Sequence, residues 1–142
     1  MAITFQTENV AFPPIKKRDT KQWIKTVAEK YHRKVGEIVY LFCDDVKILQ
    51  INQQYLQHDF YTDIITFDYS EKDIISGDIT ISLDTVRSNS QMYQTDYEIE
   101  IYRVIIHGIL HLCGIGDHTE VEKKEMRNAE DSALKLLEIQ LP

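Results

Sequence analysis

Ile101–His118 reads IYRVIIHGILHLCGIGDH. Ile101, Val104 and Ile105 recur at helical spacing, and the apolar character runs on to Leu112, so the stretch predicts a helix with one face in a core. Gly114, just beyond, is a natural helix stop. Upstream, Thr95-x-x-Glu98 has the form of a capping box and places the helix start there. Downstream, Thr119-x-x-Glu122 is a second capping box. It opens a last helix whose apolar stripe is Val121, Met126, Ala129, Ala133, Leu134 and Leu137. Helices with apolar stripes must pack on another apolar layer.

The earlier part of the chain supplies that layer. Ile3 and Phe5 alternate with polar residues as a short strand does, and Pro13-Pro14 ends it. From Arg18 to about Arg33, Trp23, Ile24, Val27, Ala28 and Tyr31 fall near helical spacing, with basic residues on the other face. Glu37–Cys43, EIVYLFC, is a dense β-branched and aromatic run and reads as a buried strand. Asp44 or Asp45 then caps a helix to about Leu56, with Val46, Leu49 and Ile51 inward. Thr62–Tyr69 and Gly77–Leu83 read as strands, the second preceded by the turn signal Ser76-Gly77. Asp84 can cap a short helix to about Tyr93. The expected fold class is α+β: one domain over residues 1–142, about four strands in a mixed sheet and about five helices.

Bulk composition narrows the function classes. The chain has 142 residues, enough for one domain with a real core, and 27% are charged. No apolar run approaches the roughly 18 to 20 residues of a membrane span, and no signal peptide is visible, so no membrane partner is expected. Only Cys43 and Cys113 are present, which reads as a reducing, cytoplasmic location. The net charge of −7 disfavours a polyanion-binding surface all round. Residues 16–34, however, hold eight lysines and arginines against Asp19 and Glu29. The bland reading of that segment is a solvated helix face; the functional one is phosphate contact.

The chemistry centres on His107 and His111. At i and i+4 of a helix, both imidazoles lie on one face, with Cβ atoms roughly 5 to 6 Å apart. Two nitrogens so placed can bind one Zn²⁺ at about 2.0 to 2.1 Å each. A lone H-x-x-x-H is commonly an ordinary surface or core pair. Here Ile109 and Leu110 between them are apolar, the glycine stop follows, and Asp117 and His118 sit just beyond. The bend at Gly114 is what a third ligand needs. The metzincin pattern H-E-x-x-H-x-x-G-x-x-H places its glycine likewise, but Gly108 stands where its catalytic glutamate would be. Spacing favours Asp117 as third ligand, and imidazole's preference for zinc favours His118; either completes a catalytic zinc site. A glycine inside a helix costs roughly 1 kcal/mol, so Gly108 predicts close approach of another chain or a ligand. Cys113 points away from His111 and reads as core; His32 and His58 read as ordinary polar residues.

These residues resemble a known family. HGILHLCGIGDH is similar to the signature H-G-x-L-H-L-x-G-Y-D-H of the YbeY family of metal-dependent endoribonucleases. Ile51–Phe67, INQQYLQHDFYTDIITF, resembles the family block L-N-x-x-[WY]-R-x-x-D-x-P-T-D-V-L-S-F, and Gly77-Asp78-Ile79 its G-D-I strand start. The resemblance implies an α+β fold, one zinc ion per chain held by three side chains, and a cleft for single-stranded RNA. It further implies work in ribosomal RNA maturation and ribosome quality control, with ribosomal proteins as partners. His107 and His111 carry over directly. The third ligand does not, because this chain has one residue more: a gap brings His118 onto the family's histidine, whereas strict spacing brings Asp117 there. Leu56 stands at the family's usual arginine and Tyr61 at its usual proline.

Metal-assisted RNA phosphodiester cleavage is the expected activity. Asp63 and Asp78 are candidate general bases, and Arg103 or the 16–34 segment candidate phosphate contacts. The rivals are a zincin-like peptidase and a non-catalytic ribosome-assembly factor with a structural metal.

Overall fold

The computed structural model describes residues 2–56 and 62–140. The expectations placed on His58 and Tyr61 lie outside the described residues. The elements are β1 (Ala2–Thr7), α1 (Lys17–Lys30), β2 (Lys34–Cys43), α2 (Asp45–Leu56), β3 (Ile64–Asp68), β4 (Ile74–Ser82), α3 (Leu83–Met92), α4 (Tyr97–Leu112) and α5 (Glu120–Gln140). The four strands form one sheet in the order β1-β2-β4-β3. β1, β2 and β4 run parallel and β3 runs antiparallel to β4, so the sheet is mixed and the α+β class holds.

Alternation along β2 sorts the two faces. Ile38, Tyr40 and Phe42 join Ile75, Ile79 and Ile81 of β4 in the main core, under residues of α1, α3, α4 and α5. The opposite face carries a smaller cluster of Cys43, Ile48 and Ile65, with Leu41, Ile51 and Phe67 packed against it. Two long-range hydrogen bonds lock the larger layer. The Tyr40 hydroxyl donates to the Ile105 carbonyl of α4 at 2.8 Å. The Trp23 indole N–H donates to the Ala133 carbonyl at 2.7 Å, tying α1 to α5. Both polar groups thereby enter the core satisfied.

Several local expectations shift. Asp96, not Thr95, caps α4, accepting from the Ile99 N–H. Ser82, not Asp84, caps α3. Asp84 instead accepts from the Asp45 N–H at the start of α2, while Asp44 accepts from Lys47. Ser76-Gly77 is not a turn but the middle of β4, which begins at Ile74; the reversal is a β-bridge between Glu71 and Ile74. Val46 and Val121, expected inward, are exposed, and Ile48 takes the buried place on α2. The second capping box forms as read: Glu122 N–H donates to the Thr119 hydroxyl, and Glu122 accepts from the Thr119 N–H.

Gly108 meets the sheet. A Cβ there would lie 2.9 Å from Cδ1 of Ile79, which lets α4 settle closely on β4. The close approach expected of a chain or a ligand is therefore that of the chain's own strand.

Candidate functional site

Helix α4 ends in two hydrogen bonds, Gly114 N–H to His111 O and Ile115 N–H to Leu110 O. With φ of 100° at Gly114, this is a Schellman stop, a backbone state that glycine adopts without a Cβ clash. The chain turns back over the end of α4, and Glu122 of α5 fixes the returning loop by accepting N–H bonds from His118 and Thr119. Hydrogen bonds from those N–H groups lower the Glu122 pKa. Gly116, within the one-residue extension of the loop, leaves room for that carboxylate, which a Cβ would strike.

The turn opens onto a cleft of about 720 Å³ between α4, α5, β3 and the end of α2. His107, His111, Asp117 and His118 all line it, with Asp63, Glu130, Arg103 and Arg127. His107 is the hub. Its Nδ1 lies 2.7 Å from Glu130 Oε2 and its Nε2 lies 3.4 Å from Asp117 Oδ2. Burial alone would lower its pKa; the Glu130 hydrogen bond and charge, then Asp117 and Asp63, outweigh burial and raise it. Asp63 is also raised, chiefly by burial, against the lowering pull of His107 and of the Asp63 and Ile64 backbone N–H groups. Arg103 is committed to carboxylates, at 3.0 Å from Glu130 and 2.8 Å from Asp131. It anchors those acids, so the expected phosphate contact does not fall to it.

Among the described residues, no three His, Cys, Asp or Glu side chains close on one point to hold a metal ion. The donors are nevertheless gathered. His107 and Asp117 form a pair, and His111 and His118 line the same cleft, His118 exposed. Among the described residues, His111 Nδ1 is buried without a hydrogen-bond partner. Leaving a buried nitrogen unpaired costs about 1 to 3 kcal/mol. Imidazoles beside a carboxylate are also a donor set that suits zinc. In chemistry, the residues fit the ion.

Other expectations separate. Asp78 lies away from this cleft, in a second cavity with Tyr55, Phe67 and Tyr69, and so does not serve as its base. No residue of the 16–34 segment lines the cleft; Leu56 does. Cys113 is buried as expected, and His32 is an exposed turn residue with φ of 59°. Glu130 was not anticipated. It is 6% exposed and sits on α5 between Met126 and Ala133, both buried. A lone acid on an otherwise apolar helix face was the available signal, since buried charges require partners.

Comparison with known proteins gives a consistent result. The family model described as Endoribonuclease YbeY matches residues 2–138. A Bacteroides fragilis protein named Endoribonuclease YbeY is 59% identical over 134 residues, covering 94% of this chain and 96% of that one. A Porphyromonas gingivalis protein of the same name is 53% identical over 136 residues, covering 96% and 90%. The solution structure of a Thermotoga maritima protein superposes with a TM-score of 0.70 at 25% identity, covering 96% of this chain and 89% of that one.

Proposed function

The chain belongs to the family of the endoribonuclease YbeY, and from that premise we propose that it cleaves single-stranded RNA with the aid of one bound divalent cation. The substrate class is ribosomal RNA in maturation and quality control, in the cytoplasm, with ribosomal proteins nearby. The observation that carries the reading is the approach of His107 Nε2 and Asp117 Oδ2 to 3.4 Å in a cleft that His111 and His118 also line. His107, His111 and Asp117 would hold zinc, with His118 as the alternative donor to Asp117. Such an ion would supply Lewis acidity toward a phosphoryl oxygen.

The chain's own groups supply the rest. Asp63 lines the cleft, and burial raises its pKa, so it is the carboxylate suited to accept a proton. Arg127 is the cleft's exposed guanidinium and the candidate phosphate contact. Among the described residues, four carboxylates line the cleft against two guanidiniums, which favours a cation there and leaves a polyanion dependent on it. A peptidase of the metzincin kind would need a carboxylate at position 108. That position faces Ile79 and Ile64.

Incubation of the purified protein with single-stranded and structured RNA, with and without chelator, tests the proposal. Cleavage of single-stranded RNA that disappears on chelation and in His111→Ala supports it. Peptide hydrolysis would replace it with the peptidase reading. RNA binding without cleavage would leave an assembly factor.

A further inference from the structure

We propose that Glu130 is a positioning residue that fixes the tautomer of His107, leaving Nε2 bare and aimed into the cleft, and that Arg103 holds Glu130 in that task. The inference rests on the reading of His107 as a metal ligand, but its central claim concerns a proton and can be checked without RNA or metal.

A neutral imidazole carries one N–H, and two carboxylates compete for it here. Glu130 Oε2 is 2.7 Å from Nδ1, and its side chain is 8% exposed. Asp117 Oδ2 is 3.4 Å from Nε2, and its side chain is 38% exposed. The shorter, drier, charge-assisted bond is the stronger. The proton therefore stays on Nδ1, and Nε2 turns a lone pair toward the Asp117 oxygen. Two acceptors facing each other repel; without a cation the 38% exposed Asp117 side chain can turn to solvent, and a cation between them would hold both, as a metal ligand requires.

Arg103 decides how the carboxylate is oriented. It donates to Oε1 of Glu130 at 3.0 Å and to Asp131 at 2.8 Å, so Oε2 is left for the ring. Glu130→Gln exposes this logic. Arg103 can only donate, so it claims the single amide oxygen, and the amide NH₂ then faces Nδ1. Nδ1 must become an acceptor and the proton moves to Nε2, where it blocks the metal position.

The test is ¹⁵N NMR of the His107 ring in metal-free protein at pH 9, together with zinc affinity by competition with a chromophoric chelator. Wild type should show the Nδ1–H tautomer. Glu130→Gln should show Nε2–H and bind zinc roughly 10- to 100-fold more weakly. Arg103→Met/Glu130→Gln frees the amide oxygen and should restore the Nδ1–H tautomer. Glu120→Gln, an exposed acid on the same helix, serves as charge control. An Nε2–H tautomer in wild type overturns the proposal, as does a Glu130→Gln protein unchanged in both readouts. The wild-type spectrum decides even if the variant does not fold. Failure of RNA cleavage with the expected spectra would instead refute the nuclease assignment alone.

Discussion

Gly108→Ala sets two opposite effects against each other. Alanine is favoured over glycine inside a helix by about 1 kcal/mol. Its Cβ, however, would lie 2.9 Å from Cδ1 and 3.2 Å from Cγ2 of Ile79, and 3.4 Å from Cδ1 of Ile64. Ile79 is fully buried and cannot swing into solvent. Overpacking of this kind typically costs about 1 to 3 kcal/mol. The net expectation is a loss of roughly 0 to 2 kcal/mol, or a fall in Tm of up to about 6 °C for a domain of this size. Because α4 must lift from β4, the strain falls beside His107, and zinc affinity should weaken in parallel. A double-mutant cycle with Ile79→Val, read by chemical denaturation, isolates the contact. Valine lacks the nearest atom. Alone it should cost about 0.5 to 1.5 kcal/mol, whereas combined with Gly108→Ala it should recover stability. Additivity within about 0.5 kcal/mol, or a Gly108→Ala protein more stable than wild type, would refute the close-packing account.

Three further outcomes follow from the same geometry. Asp117→Asn should weaken zinc binding more than His118→Ala, by equilibrium competition, because Asp117 is the residue drawn up to His107; the reverse order would give His118 the ligand role. Arg127→Ala should raise KM for RNA and reduce the slope of log affinity against log salt by about one unit, the signature of one lost phosphate contact; an unchanged slope removes Arg127 from the interface. Burial, with nearby acids at Cys43, pushes the Cys43 thiol up to about 12 and the Cys113 thiol up to about 11. Both raised values mean that stability is undiminished below about pH 9, where the unfolded thiols begin to ionise, and declines as pH rises through 11 to 12. Iodoacetamide should label neither thiol at pH 8 until denaturant is added; labelling of folded protein at the unfolded rate would contradict that burial.

Elements with strong internal pattern were legible in the chain. The EIVYLFC run became the C-terminal seven residues of β2, and the second capping box formed bond for bond, because both depend on neighbours within a few residues. Caps slipped by one or two positions where two polar residues compete, as Asp96 does with Thr95, and tertiary geometry selects between them. Ser76-Gly77 misled because glycine in a strand can mark a close approach as well as a turn. A Cβ at Gly77 would press on the Phe67 carbonyl of the neighbouring strand. His107, His111, Asp117 and His118, which line one cleft, were visible as a spacing. Glu130 was not, because it reaches His107 from another helix, 23 residues away, through packing that no local pattern encodes.

That long reach has a bearing on biosynthesis. Translation delivers the histidines of α4 before the carboxylate that orders one of them, and α5 is seated by contacts with elements made much earlier, Trp23 on Ala133 among them. The nascent chain thus holds an unfinished centre for as long as its closing helix is undocked. The contact between His107 and Glu130 is complete only once α5 has docked against α4 and α1.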